Sequence, residues 1–221
     1  MRDIALSPSP SESQSESETP RLNRRQAAKI RTRQKVLDAA RQLFAERGYE
    51  PATIRDIAKG AGMSTGAVFA NFQDKAELFE AVLATDMARL AETMTAAAAI
   101  EGSVRERLLS ALAAGYHGSL EQLPLVQAVI ARSWFQPVAA EMRIRAAIKP
   151  ILSVVTDALQ AGVGEGELRQ DADVRLLGEM IYGAFLSNFR QAAYDGWTTT
   201  QLSERMGKQV DVILAGAISR Q

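Results

Sequence analysis

The chain has 221 residues, 47% hydrophobic and 24% charged, which suits one large or two modest globular domains with a real core. Its 26 basic and 26 acidic residues cancel, and the absence of Cys excludes both a disulfide framework and a thiolate metal site. The first twenty residues carry Ser, Pro and Glu in place of an apolar leader, and no continuous run of about 18 apolar residues occurs, so neither a signal peptide nor a membrane span is expected.

Residues 1–20 are low-complexity and too poor in apolar surface to repay ordering, which predicts a disordered tail. The net charge is −3 over residues 1–20, +7 over 21–75 and −4 over 76–221. Positive charge is thus gathered in one segment, the electrostatic footprint of a small DNA-binding module on an acidic body. From Arg21 onward apolar residues recur at spacings of three and four with almost no alternating β-branched run, so the fold class is all-α. A first helix is predicted from about Ile30 to Arg47, burying Val36, Ala39, Ala40, Leu43 and Phe44 and stopped by Gly48. The basic lead-in from Arg21 to Lys35, with Arg24, Arg25 and Arg31 among its cations, reads as an arm able to lie along phosphates or reach the minor groove.

A short second helix starts at Thr53, whose hydroxyl can cap it while Asp56 reaches back. A third follows Gly62, and a fourth opens at Asp74 and continues towards Met94. In the stretch TIRDIAKGAGMSTGAVFANF, residues 53–72, two short helices must cross steeply with almost no loop. That crossing needs a small residue under the second helix, Ala58, and a turn residue tolerant of positive φ, Gly62. It also needs apolar anchors, supplied by Ile54, Ile57, Met63, Val68 and Phe72. Together these positions define a helix-turn-helix.

Over residues 31–83, and above all in the pattern G-x-x-F-x-N-F-x-x-K from Gly66 to Lys75, the sequence resembles the TetR family of transcriptional regulators. The resemblance implies that the third helix enters the major groove, with Ser64, Thr65, Gly66 and Ala67 facing base edges. Phe69 stands where the family usually has Tyr, Asn71 where it often has His, and Lys75 is the family's usual Lys. It also implies phosphate contacts for Lys75 and for the hydroxyl and N–H of Thr53. Phe69 lacks the hydroxyl for a phosphate bond but can touch a thymine methyl. Gly66 and Ala67 offer little to bases, so direct readout by this helix is sparse.

Beyond residue 84, further helices are predicted at roughly 103–121, 124–135, 138–162, 173–194 and 200–218. The resemblance implies that the last two pack against a two-fold mate, making a homodimer. A dimer also follows from physics, since one helix-turn-helix contacts too few bases for useful specificity. The expected partner is double-stranded DNA bearing a near-palindromic operator. The resemblance further implies a pocket for a largely apolar small-molecule effector, with Tyr116, His117, Trp134, Phe135, Met142, Tyr182 and Phe185 as candidate lining, and Arg132, Arg143 and Arg145 as candidates for an acidic headgroup. One lone His, no phosphate-binding Gly loop and no metal-spaced carboxylates leave no visible catalytic apparatus, so no enzyme, cofactor or metal site is expected. The expected architecture is an N-terminal three-helix helix-turn-helix domain, with its arm, over 21–75 and a C-terminal helical ligand-binding and dimerisation domain over 76–221. The expected function is a cytoplasmic repressor released by its effector; the alternative is a ligand-independent DNA-binding architectural or interaction factor.

Overall fold

The computed structural model describes residues 24–219, so the tail expected over residues 1–20, together with Arg21, lies outside the described residues. These form nine α-helices: α1 Arg24–Arg47, α2 Ile54–Gly60, α3 Thr65–Phe69, α4 Lys75–Ala98, α5 Val104–Leu120, α6 Leu123–Arg132, α7 Val138–Gly164, α8 Val174–Asp195 and α9 Thr199–Leu214. Among them the only strand-like pairing is an isolated bridge between Leu168 and Ile218.

The helix starts follow local side-chain chemistry. Thr53, Ser64, Asp74, Ser103, Asp173 and Thr198 each cap a helix by accepting from a backbone N–H three residues on. Ser103 with Glu106 and Thr198 with Gln201 complete reciprocal capping boxes. At the Thr53 cap, Asp56 accepts from the Thr53 hydroxyl at 2.7 Å. Gly48 and Gly62 both take the left-handed conformation, φ 78° and 67°, and so end α1 and turn α2 into α3.

Two apolar cores divide the molecule. The N-terminal core gathers Val36, Ala40 and Phe44 of α1, Ile57 and Ala58 of α2, Val68 of α3, Phe72, and Leu78, Phe79 and Val82 of α4. Residue 75 therefore marks the end of the basic segment, while the packing of this head runs on to Val82. Leu125 of α6 also joins that core. The larger core unites α5, α7, α8 and α9 with the second half of α4. At its centre a polar knot is fully paired: Asn188 donates to the Tyr116 hydroxyl (2.9 Å) and to Gln209 Oε1 (2.7 Å), and accepts from Arg205 Nε (3.1 Å). Among the described residues, α7 alone is long and apolar enough, with mean hydropathy 1.2, to meet the length and composition of a membrane span. Its buried face from Ile151 through Val155 to Leu159 is packed inside the larger core, the burial of a core helix.

Candidate nucleic-acid interface and effector cleft

In the head, the crossing of α2 and α3 is built as the sequence requires. Ala58, 2% exposed, lies under the crossing, and its carbonyl accepts from Met63 N–H at 2.9 Å across the Gly62 turn. Val68 and Phe72 anchor α3 from below. The outer face of α3 is left to solvent: Thr65 and Gly66 are exposed, Ala67 is half-buried, and the Phe69 ring is 54% exposed. Ser64 is exposed too, with its Oγ accepting from Ala67 N–H at 3.2 Å as the cap.

Other expected contact residues are turned to different tasks. The Lys75 ammonium reaches the carbonyls of Tyr49 (2.9 Å), Ala52 (3.0 Å) and Glu50 (3.3 Å), and lies 4.1 Å from the centre of the Tyr49 ring. An ammonium has three N–H donors, and three carbonyls of the α1–α2 connection take them. In the chain without DNA, Lys75 thus holds that loop in place. Asn71, in the turn after α3, is half-buried and folds back on that helix, its Nδ2 donating to the Ala67 carbonyl at 2.9 Å. The Thr53 hydroxyl is engaged with Asp56 as donor and as acceptor, so its exposed backbone N–H is what remains for a phosphate.

The expected arm is, from Arg24 onward, a helical extension of α1. Arg24, Arg25 and Arg31 are all exposed on it, the first two about three turns and the last about one and a half turns before Val36, the first buried residue. Arg33 has a role that sequence reasoning missed. Its guanidinium donates to the Asn71 carbonyl at 2.9 Å and lies 4.0 Å from the Phe72 ring centre, clamping α1 to the end of α3. The only sequence signal was its place three residues before Val36, on an otherwise solvated basic run.

The expected pocket residues do not assemble into one site. Tyr116 and Phe185 stack in the body core with ring centres 4.5 Å apart, and half-buried Tyr182 flanks Phe185 at 6.5 Å. Burial pushes the hydroxyls of Tyr116 and Tyr182 well above the usual phenol range, so both stay neutral. His117 sits on the exposed side of α5. Trp134 and Phe135 are 84% and 91% exposed, because α6 ends at Arg132 and the α6–α7 connection projects its aromatic residues outward, and Met142 on the first turns of α7 is 67% exposed. The three arginines are paired within the protein: Arg132 lies 4.0 Å over the Tyr49 ring, Arg143 donates to Glu80, and Arg145 donates to Glu141.

A cleft lies instead between α6 and α8. It holds about 430 Å³, with Ile130, Leu186 and Phe189 as apolar walls and Gln127, Ser187 and Arg190 as polar groups. The opposite side of α6 presents Leu125, Ala128 and Val129 to the head's core. One helix therefore touches the cleft on one side and the head on the other.

The molecule is a helix-turn-helix head, basic along its lead helix, carried on an all-helical body. Residues 36–82 match the family described as bacterial regulatory proteins, tetR family, and residues 83–189 match the YsiA-like protein, C-terminal region. The chain belongs to the TetR family. Relatives include the transcriptional repressor AcnR of Corynebacterium efficiens, 47% identical over 66 residues, or 30% of this chain and 35% of that protein. The chain thus aligns with about a third of the length of the AcnR repressors it matches. The repressor KstR2 of Mycobacterium tuberculosis is 28% identical over 201 residues, 89% of this chain and 98% of that one. The fatty acid metabolism regulator protein of Bacillus subtilis is 28% identical over 150 residues, 67% of this chain and 76% of that one. The same fold is seen in the crystal structure of FadR from Bacillus subtilis in complex with stearoyl-CoA, at TM-score 0.70 and 22% identity, covering 83% of this chain and 98% of that one.

Proposed function

We propose that the protein is a cytoplasmic, dimeric repressor that reads DNA with α3 and releases it when a largely apolar small molecule binds the body. The observation that carries this reading is the outer face of α3. Thr65, Gly66 and Phe69 stand free on a helix fixed from below by Val68 and Phe72, within the segment of +7 charge. Phosphates are met by the exposed cations of α1, Arg24, Arg25 and Arg31, and by the Thr53 N–H, while Thr65 and Phe69 face base edges.

Dimerisation through α8 and α9 is supported by what these helices leave uncovered. Leu176, Met180 and Tyr194 are 52%, 48% and 75% exposed, and they share one stripe of α8 with Gly183 and Ser187. Val212 on α9 is 76% exposed. Small residues in such a stripe let a second helix approach closely. The effector is assigned to the α6–α8 cleft, whose apolar walls and Arg190 suit an acyl chain carrying an anionic group. The relatives connected with fatty acids make long-chain acyl-CoA the first compounds to test.

The test is binding of the full chain to duplex DNA by fluorescence anisotropy, with acyl-CoA added over a range of chain lengths. The expected result is tight, sequence-dependent binding that some chain length weakens by about tenfold or more. Binding that is equal for all duplexes would overturn sequence reading in favour of an architectural role; binding that no acyl compound alters would overturn the acyl assignment.

A further inference from the structure

Asp86 is a buried carboxylate, 8% exposed, midway along α4. The half of α4 before it gives Leu78, Phe79 and Val82 to the head's core, and the half after it gives Ala91 and Met94 to the body's core. Asp86 therefore stands at the seam between the two. Its Oδ1 lies 2.7 Å from Nε of Arg41, which comes from α1 of the head, and 3.1 Å from Nη2 of Arg89 on α4 itself. Its Oδ2 is buried without a hydrogen-bond partner, and so is Oε1 of Gln122 at the α5–α6 junction. Both residues line one cavity of about 50 Å³, which Leu83, Met87 and Val129 help to close.

As a stabilising device this joint is poor. Taking a carboxylate and a guanidinium out of water costs several kcal/mol per ion, repaid only by full hydrogen bonding. Here Arg41 Nε stands 2.7 Å from Asp86 Oδ1 as an ion pair without hydrogen-bond geometry, and both Nε and Nη2 are buried without a hydrogen-bond partner, alongside the two orphan acceptors. Apolar side chains of similar size would pack this seam at least as stably. What apolar packing would not supply is direction. Contacts such as those of Leu125 and Val129 with the head are tolerant of sliding, since burial is indifferent to orientation. A buried ion pair loses attraction as its charges slide apart, so the pair penalises movement of the head away from one register.

We propose that Arg41 and Asp86 are a positioning pair that sets the angle of the head on the body. α6 links this joint to the cleft, because Leu125, Val126 and Val129 line the Asp86 cavity while Gln127, Ile130 and Ala131 line the α6–α8 cleft. A shift of α6 therefore alters the packing around the pair that orients the head. The consequence for DNA rests on the repressor reading; the angle itself does not.

The chain has no native Cys, so spin labels can be placed at Lys59→Cys in the head and Glu101→Cys in the body, both exposed. Labelled full chain diluted into unlabelled chain reports the intramolecular distance distribution by electron–electron resonance, without DNA. Two backgrounds are compared with the wild type: the apolar pair Arg41→Met/Asp86→Leu and the near-isosteric Asp86→Asn. The expected result is cooperative melting at or above the wild-type temperature for the apolar pair, a broadened or shifted distance distribution in both backgrounds, and operator affinity lower by about tenfold. A folded variant of either kind that keeps the wild-type distribution would overturn the proposal, as would a lowered melting temperature with the distribution unchanged. Should the apolar pair fail to fold, Asp86→Asn alone decides. If the wild-type chain binds no duplex in any sequence, the repressor reading fails while the distance measurement still stands or falls on its own.

Discussion

Lys75 shows how a residue type at the right place can carry a different job. A Lys at the start of α4 in a basic head suggests a phosphate contact, yet its ammonium is spent on the carbonyls of Tyr49, Glu50 and Ala52. That choice is invisible in sequence, because the acceptors lie about 25 residues upstream in a loop whose path only the fold defines. Lys75→Ala should lower the denaturant midpoint by an amount equivalent to about 1–3 kcal/mol, the range for hydrogen bonds to a charged donor in a part-buried site. The salt slope of DNA binding should stay as it was, whereas loss of a phosphate contact would flatten it by about one. Arg at the same place should not rescue stability, since a planar fork does not fit three converging carbonyls. Asp86 gives a residue-scale test by pH. Burial pushes its carboxyl above the ordinary range, opposed by Arg41 of α1 and Arg89 of α4; the cavity side from α5 and α6 offers only the uncharged Ser119 and Gln122. A raised folded value means the native state binds this proton more tightly than the unfolded chain. The stability so gained is complete below the ordinary carboxylate value and is lost as pH rises through the folded one. The melting temperature of the wild type relative to Asp86→Asn should therefore fall as pH is raised from about 4 to about 7. A flat difference would show that Asp86 titrates as an ordinary surface carboxylate.

At the scale of elements, the helices were legible because periodicity and caps agree. Thr53, Ser103 and Gly62 mark starts and a turn by chemistry that acts within three or four residues. The misplacements have the same origin in reverse. α1 begins at Arg24, six residues before the expected Ile30, because Gln26, Ala27 and Ala28 favour helix without burying anything a periodicity would register. α9 ends at Leu214 although apolar residues continue, since Ala217 and Ile218 leave the helix to pair with the segment around Leu168. Aromatic side chains at helical spacing could not reveal that Trp134 and Phe135 leave the molecule while Tyr116 and Phe185 enter it. That distinction depends on where α6 stops, and a helix end is among the weakest signals in a sequence. The helical extension of α1 carries its own prediction. Replacing Arg24, Arg25 and Arg31 together with Gln should leave the melting temperature nearly unchanged, as all three are exposed and precede the first buried residue. The slope of log affinity against log salt should become shallower by up to about 2.7, three contacts at roughly 0.9 each. An unchanged slope would remove the extension from the interface.

At the scale of the molecule, head and body communicate through two helices. α4 belongs to both cores, and α6 lies between the head and the α6–α8 cleft. The Tyr49 ring repeats this bridging, with Lys75 of α4 at 4.1 Å and Arg132 of α6 at 4.0 Å. On the proposed reading, a ligand in the cleft would act on the head by moving a helix that already touches it, and a dimer would convert that movement into a changed separation of two reading surfaces. The dimer is tested at Gly183, where an added Cβ would meet nothing within 4 Å in its own protomer. Gly183→Leu should leave the protomer at least as stable, since Gly is the poorer helix former by about 1 kcal/mol. By blocking close approach of the partner's helix, it should shift sedimentation from dimer towards monomer; an intact dimer would move the interface off this stripe of α8. The central claim, that α3 reads DNA as one of a two-fold pair, is tested most directly by selecting bound duplexes from a random pool with the full chain. The account predicts enrichment of two inverted half-sites whose centres are separated by about one helical turn or a multiple of it. Enrichment of no sequence, or of a single unsymmetrical site, would contradict it.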